Sequence, residues 1–140
     1  MADGVKIEIV SPERLVISEQ ARSVTVPGAE GYFTVMGEHA PLMTTLKPGF
    51  ITAVGIEGGT QTFYVRGGFA DVSPEGLTIL AEDARPASEF NRAEVEAEIA
   101  TAQKALDAAV SLEDKDVATT RLDAWRNLLI ESASVGGAAH

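Results

Sequence analysis

The sequence predicts an α+β chain: an antiparallel β-sandwich or barrel, then a C-terminal antiparallel two-helix hairpin. Three observations carry this reading. Apolar residues alternate with period two from Val5 to about Ala84. Glycine- and proline-containing turn signals divide that region into short runs. After Ala84-Arg85-Pro86-Ala87-Ser88, alanine and glutamate dominate and apolar residues recur every three or four positions.

Taken in order, Val5, Ile7 and Ile9 alternate with Lys6 and Glu8, as in a half-buried strand. Val24 and Val26 repeat the pattern around Thr25. Denser runs follow: GFITAVGI, TQTFYVRGGFADV and LTILA. Pro27-Gly28, Lys47-Pro48-Gly49, Glu57-Gly58-Gly59 and Ser73-Pro74-Glu75-Gly76 separate them. The clearest hairpin tips are Glu57-Gly58-Gly59 and Pro74-Glu75-Gly76, because glycine reaches positive φ at little steric cost. No crossover helix interrupts this half, so parallel pairing is not expected.

In the second half, Val95, Ile99, Ala102, Leu106 and Ala109 form one apolar seam. Asn91 with Glu94 is a cap signal just before it. Ser111 with Asp114 restarts the pattern, and Ala118, Leu122, Trp125 and Leu129 form a second seam, with Gly136-Gly137 as its stop. The expected division is residues 1–86 for the sandwich and 87–140 for the hairpin with a short flexible tail. Alanine-rich seams bury little apolar area, so the hairpin should be marginal alone.

Composition narrows the function. At 140 residues with 45% hydrophobic content, the chain can build a real core. A formal net charge of -10 disfavours nucleic acid and anionic lipid, and favours a partner offering apolar or basic surface. The absence of cysteine excludes disulfides, thiolate metal sites and thiol nucleophiles. No apolar run approaches the roughly 20 residues of a membrane span. The beginning MADGVKIEIV matches neither a signal nor a transit pattern, so the expectation is a soluble protein acting where it is made.

The stretch GEHAPLMTTLKPG holds His39 beside Glu38 between glycines and prolines. A general base with an orienting acid is disfavoured, because neighbours along an extended chain point oppositely. No nucleophile is singled out, and one glutamate with one histidine is too few ligands for a structural metal. Pro41 and Pro48 fix φ while Gly37 and Gly49 permit sharp reversals. Two readings stay open: a stiff corner that projects Ala40-Pro41-Leu42-Met43 for docking, or a tight turn with Leu42 and Leu46 packed inward.

Four blocks in order carry a resemblance: Val24-Thr25-Val26-Pro27-Gly28-Ala29-Glu30-Gly31, His39-Ala40-Pro41-Leu42 running to Leu46-Lys47-Pro48-Gly49, Gly67-Gly68-Phe69-Ala70-Asp71-Val72, and Leu80-Ala81-Glu82-Asp83-Ala84. Followed by an Ala/Glu-rich hairpin, they resemble the epsilon subunit family of bacterial F-type ATP synthases, the counterpart of the mitochondrial delta subunit. General similarity suggests an alphaproteobacterial source. The resemblance implies a non-catalytic rotor-stalk subunit that sits on the gamma subunit and against the c-ring, coupling ring rotation to ATP synthesis. No cofactor is expected, because the hairpin departs from the family's nucleotide motif. The resemblance implies a peripheral position on the cytoplasmic face of the inner membrane, held there through the complex alone. The hairpin would be the part meeting the alpha and beta subunits.

By position, Glu30, Tyr32, Glu38 and His39 look like the c-ring face, and Ala40, Pro41, Leu42 and Met43 with Thr44 like the gamma contact. Tyr32 stands where some relatives carry an acid, which favours aromatic packing there. Of Tyr32 and Phe33, alternation puts one ring in the core. Gly67-Gly68 reads as a close backbone approach or bulge, since no Lys-Ser/Thr pair follows to make a phosphate loop.

Two departures from the family stand in the hairpin. Its nucleotide motif would begin at Phe90 and Asn91, placing Glu94 and Val95 where arginine and alanine belong. Shifting to Arg92-Ala93 puts Ser88 and Glu89 at its start and Ile99 at the later arginine. Neither register supplies the guanidinium a triphosphate needs. Residues 88–140 also carry ten acidic and five basic side chains, ill suited to acidic loops of a catalytic head. The competing readings are a nucleotide-sensing inhibitory module on the same fold and a small β-barrel enzyme or ligand carrier, which would need converging polar groups in a pocket.

Overall fold

The computed structural model describes residues 4–37 and 40–138. Glu38 and His39 fall outside them. The chain divides into two compact units, Met1–Ala87 and Ser88–His140.

The first unit holds nine strands: β1 (Val5–Ser11), β2 (Arg14–Gly28), β3 (Gly31–Met36), β4 (Leu42–Leu46), β5 (Gly49–Gly55), β6 (Thr60–Val65), β7 (Gly68–Ser73), β8 (Gly76–Ala81) and β9 (Ala84–Pro86). Their order is β1-β8-β7-β4-β2-β5-β6-β9, with β3 and β1 also paired to β2. The 15-residue β2 belongs to both layers: its first half pairs with β1, its second with β3 and β5. Period-two alternation buries Val5, Ile7, Ile9, Val24, Val26, Ile51, Ala70, Val72, Leu77 and Ile79 in one cluster between the layers. At about 25 cal/mol per Å2, this burial is the main source of the unit's cohesion.

Both expected hairpin tips occur, between β5 and β6 and between β7 and β8, with Gly58 at φ 98° in the first. One pairing departs from the antiparallel expectation. β1 runs parallel to β8, matching Ile7 to Leu77 and Ile9 to Ile79. Parallel neighbours need a long crossover; here the strands β2 to β7 supply it in place of a helix.

The second unit pairs α1 (Arg92–Ala108) with α2 (Leu112–Ala138). Asn91 caps α1, its Oδ1 accepting from the Ala93 amide at 2.9 Å. Ser111 caps α2, its Oγ accepting from the Asp114 amide at 3.1 Å. Val95 and Ala102 are buried on α1; Ala118, Leu122, Trp125 and Leu128 are buried on α2. The second seam thus steps from Trp125 to Leu128, and Leu129 is only half-buried. Gly136-Gly137 does not stop α2, which runs on to Ala138. A helical glycine costs about 1 kcal/mol but keeps its amide donor.

Candidate interaction face

The two glycines Gly67 and Gly68 set up the exposed face of the sandwich. Both have φ of 133°. A Cβ on Gly68 would lie 2.0 Å from the Leu80 carbonyl oxygen. This is the close backbone approach expected of the pair, and it brings β7 directly against β8. The reversal is held by the Glu82 amide donating to Gly67 O at 3.0 Å and the Arg66 amide donating to Asp83 O at 3.1 Å. Phe69, one residue on, then points away from the core, because Ala70 and Val72 point into it.

Register extends this into a row. Thr45 pairs with Phe69, Phe69 with Leu80, Leu80 with Val10, and Val10 with Leu15. The row crosses five strands without a charge. Phe69 is 51% exposed, Leu80 52% and Leu15 57%. The neighbouring row, Met43-Asp71-Thr78-Glu8-Ser18, is polar except for Met43. An uncharged apolar stripe beside a polar one is an arrangement that protein interfaces can use as dry centre and wet rim. β1 and β2 slip register between Ile9 and Val10, which turns Leu15 outward while Val16 and Ile17 pack on the core.

The residues expected from sequence fall into two groups. Glu30 is exposed in the turn from β2 to β3, and Tyr32 is 45% exposed beside it. Phe33 packs against the core, so the alternating pair divides as expected. Ala40 and Pro41 are exposed and lead into β4, where Leu42 is 41% and Met43 68% exposed. Leu46 is buried, at 8%. Leu42 lies on the same face of β4 as Leu46, opposite the buried Val72, and stays part-exposed at the strand's end, whereas Met43 faces outward. Gly28 pairs with Leu46, so Glu30 and Tyr32 gather at one end of β4 and Ala40-Pro41-Leu42 at the other, roughly 13 Å apart along the strand. Glu38 and His39 lie outside the described residues.

Sequence reasoning missed Phe69, Leu80 and Leu15. A signal existed in GGFADV, where small Ala70 alternates with large Phe69: the larger residue on the outer side marks an apolar outer face. For Leu15 and Leu80 the pairing itself was needed. Among the described residues, no group of three His, Cys, Asp or Glu could hold a metal ion, and no helix is long and apolar enough to cross a membrane.

A nine-stranded β-sandwich followed by a two-helix hairpin defines the α+β class of this chain. Residues 4–87 match the model of the ATP synthase delta/epsilon chain β-sandwich domain. The ATP synthase epsilon chain of Mesorhizobium japonicum is 49% identical over 82% of this chain and 84% of its own length. That of Rhizobium etli is 48% identical over 82% of this chain and 85% of its own. The chain belongs to the ATP synthase delta/epsilon family. The fold also matches a chain in the cryo-EM structure of the Euglena gracilis mitochondrial ATP synthase (OSCP/F1/c-ring), with a TM-score of 0.72 at 17% identity, covering 92% of this chain and 81% of that one. A chain of the Tetrahymena thermophila mitochondrial ATP synthase central stalk and c-ring gives 0.64 at 17% identity, covering 91% and 95%.

Proposed function

We propose that this chain is a non-catalytic subunit of the rotor stalk of a proton-driven ATP synthase, coupling c-ring rotation to ATP synthesis. Its gamma contact is the Thr45-Phe69-Leu80-Val10-Leu15 row with Ala40-Pro41-Leu42-Met43 at its margin. Its c-ring contact is the turn carrying Glu30 and Tyr32, with Glu38 and His39. The acidic hairpin is the part that would reach the alpha and beta subunits. The complex holds the chain peripherally on the cytoplasmic face of the inner membrane.

The observation that carries this is the uncharged row across five strands. A coupling part must grip its neighbours without reacting with them. Half-exposed Phe69, Leu80 and Leu15 would each contribute about 1 kcal/mol or more when covered. The test is titration of the full chain with purified gamma subunit. The wild-type chain should bind. Replacing Phe69 and Leu80 together by aspartate should weaken binding by more than about tenfold while the thermal midpoint stays put. Undiminished binding by the double variant would remove the row from the contact; failure of the wild type to bind would overturn the function.

A further inference from the structure

The chain has no cysteine, and its sulfur is carried by three methionines, of which Met36 and Met43 are described. Met36 on β3 pairs with Ser23 on β2, is 56% exposed and lines a small groove of about 170 Å3 with Gly4, Lys6 and Gly37. Met43 is 68% exposed on β4. It pairs with Asp71, and it lies diagonally from Phe69, whose direct partner is Thr45. Diagonal neighbours on one face stand about 7–8 Å apart, within reach of long side chains. Met43 is thus the only apolar member of the polar row and adjoins the apolar one.

From this placement we infer that Met43 is a reversible oxidation site through which hydroperoxides weaken the docking face. The inference rests on the gamma contact proposed above. A sulfur lone pair attacks one peroxide oxygen; the S–O bond forms as the O–O bond breaks. Sulfur loses two electrons, and with hydrogen peroxide the other oxygen leaves as water after taking up its proton. A thiol-dependent sulfoxide reductase returns the thioether. The sulfoxide places a strong, strongly hydrated acceptor where an apolar side chain was to be covered. Docking must then desolvate it without a partner. In the free chain Met43 is 68% exposed; once covered by a partner it is shielded, so oxidation acts before assembly.

The experiment treats the full chain with hydrogen peroxide, maps added oxygen by peptide mass spectrometry, and then titrates gamma subunit. Oxidised wild type and oxidised Met36→Leu should bind about tenfold more weakly than their untreated forms. Met43→Leu should keep its affinity after peroxide. Sulfoxide reductase with a dithiol should restore the wild type, and gamma added before peroxide should shield Met43. If wild type with fully oxidised Met43 binds like the untreated chain, or Met43→Leu loses as much as wild type, the inference fails while the proposed function stands. If untreated wild type does not bind gamma, both fail.

Discussion

The phenol oxygen of Tyr32 accepts the backbone N–H of Phe50 at 3.1 Å. This bond ties the start of β3 to the start of β5, two residues eighteen positions apart in sequence. Gly49 makes room for it: a Cβ there would lie 2.7 Å from both the Tyr32 hydroxyl and Pro27 Cβ. Tyr32 therefore braces the start of β3 through its hydroxyl while remaining 45% exposed. Tyr32→Phe removes the acceptor of a part-buried amide and should cost about 1–2 kcal/mol in urea unfolding. An unchanged midpoint would show that the ring alone holds this segment.

Gly68→Ala should be among the most damaging single-methyl additions. The new Cβ would meet the Leu80 carbonyl, and the φ of 133° is hostile to any L side chain. Strain and overpacking together set the loss at roughly 2–4 kcal/mol, read as a lower thermal midpoint. The mutation at Gly58 is a useful contrast, since no atom lies within 4 Å of a Cβ there and only the φ of 98° opposes it.

Leu128→Ala should loosen the hairpin. Leu128 is fully buried in a unit whose other buried side chains are mostly alanine, valine and leucine. Truncation should cost about 2–5 kcal/mol, a large share for so small a unit. The expected result is lost helical circular dichroism with the β signal intact. Asn91→Ala, which deletes one cap bond, should cost only about 1 kcal/mol.

The hairpin should neither bind ATP specifically nor restrain hydrolysis. Glu94 is exposed in the first turn of α1, where a carboxylate favours the helix end but repels triphosphate. Isothermal titration of the full chain should show no micromolar ATP binding. Assembled enzyme lacking residues 88–140 should hydrolyse ATP at nearly the rate of the intact complex. A several-fold rise on truncation would reveal an inhibitory hairpin.

Much of this architecture was legible before any coordinates. Val5, Ile7 and Ile9 declared their strand because one face is buried and the other wet. Asn91 and Ser111 declared both helix starts because capping is local chemistry. What failed was long-range or marginal. The parallel β1–β8 pair joins residues some seventy positions apart, and nothing near Val5 encodes Leu77 as its neighbour. The Leu128-for-Leu129 step depends on how two helices meet. For the candidate face, the corner at Ala40-Pro41 was readable from its proline, whereas Phe69, Leu80 and Leu15 became neighbours only through strand order.

The shared strand β2 has a mechanical meaning. Its backbone runs unbroken from the row holding Leu15 to the turn preceding Tyr32. A sideways load placed on one end of the sandwich is therefore carried to the other through covalent peptide links, and not only through side-chain friction. Sliding of the layers past each other would have to bend that single spine, which makes the sandwich behave under twist as one solid key.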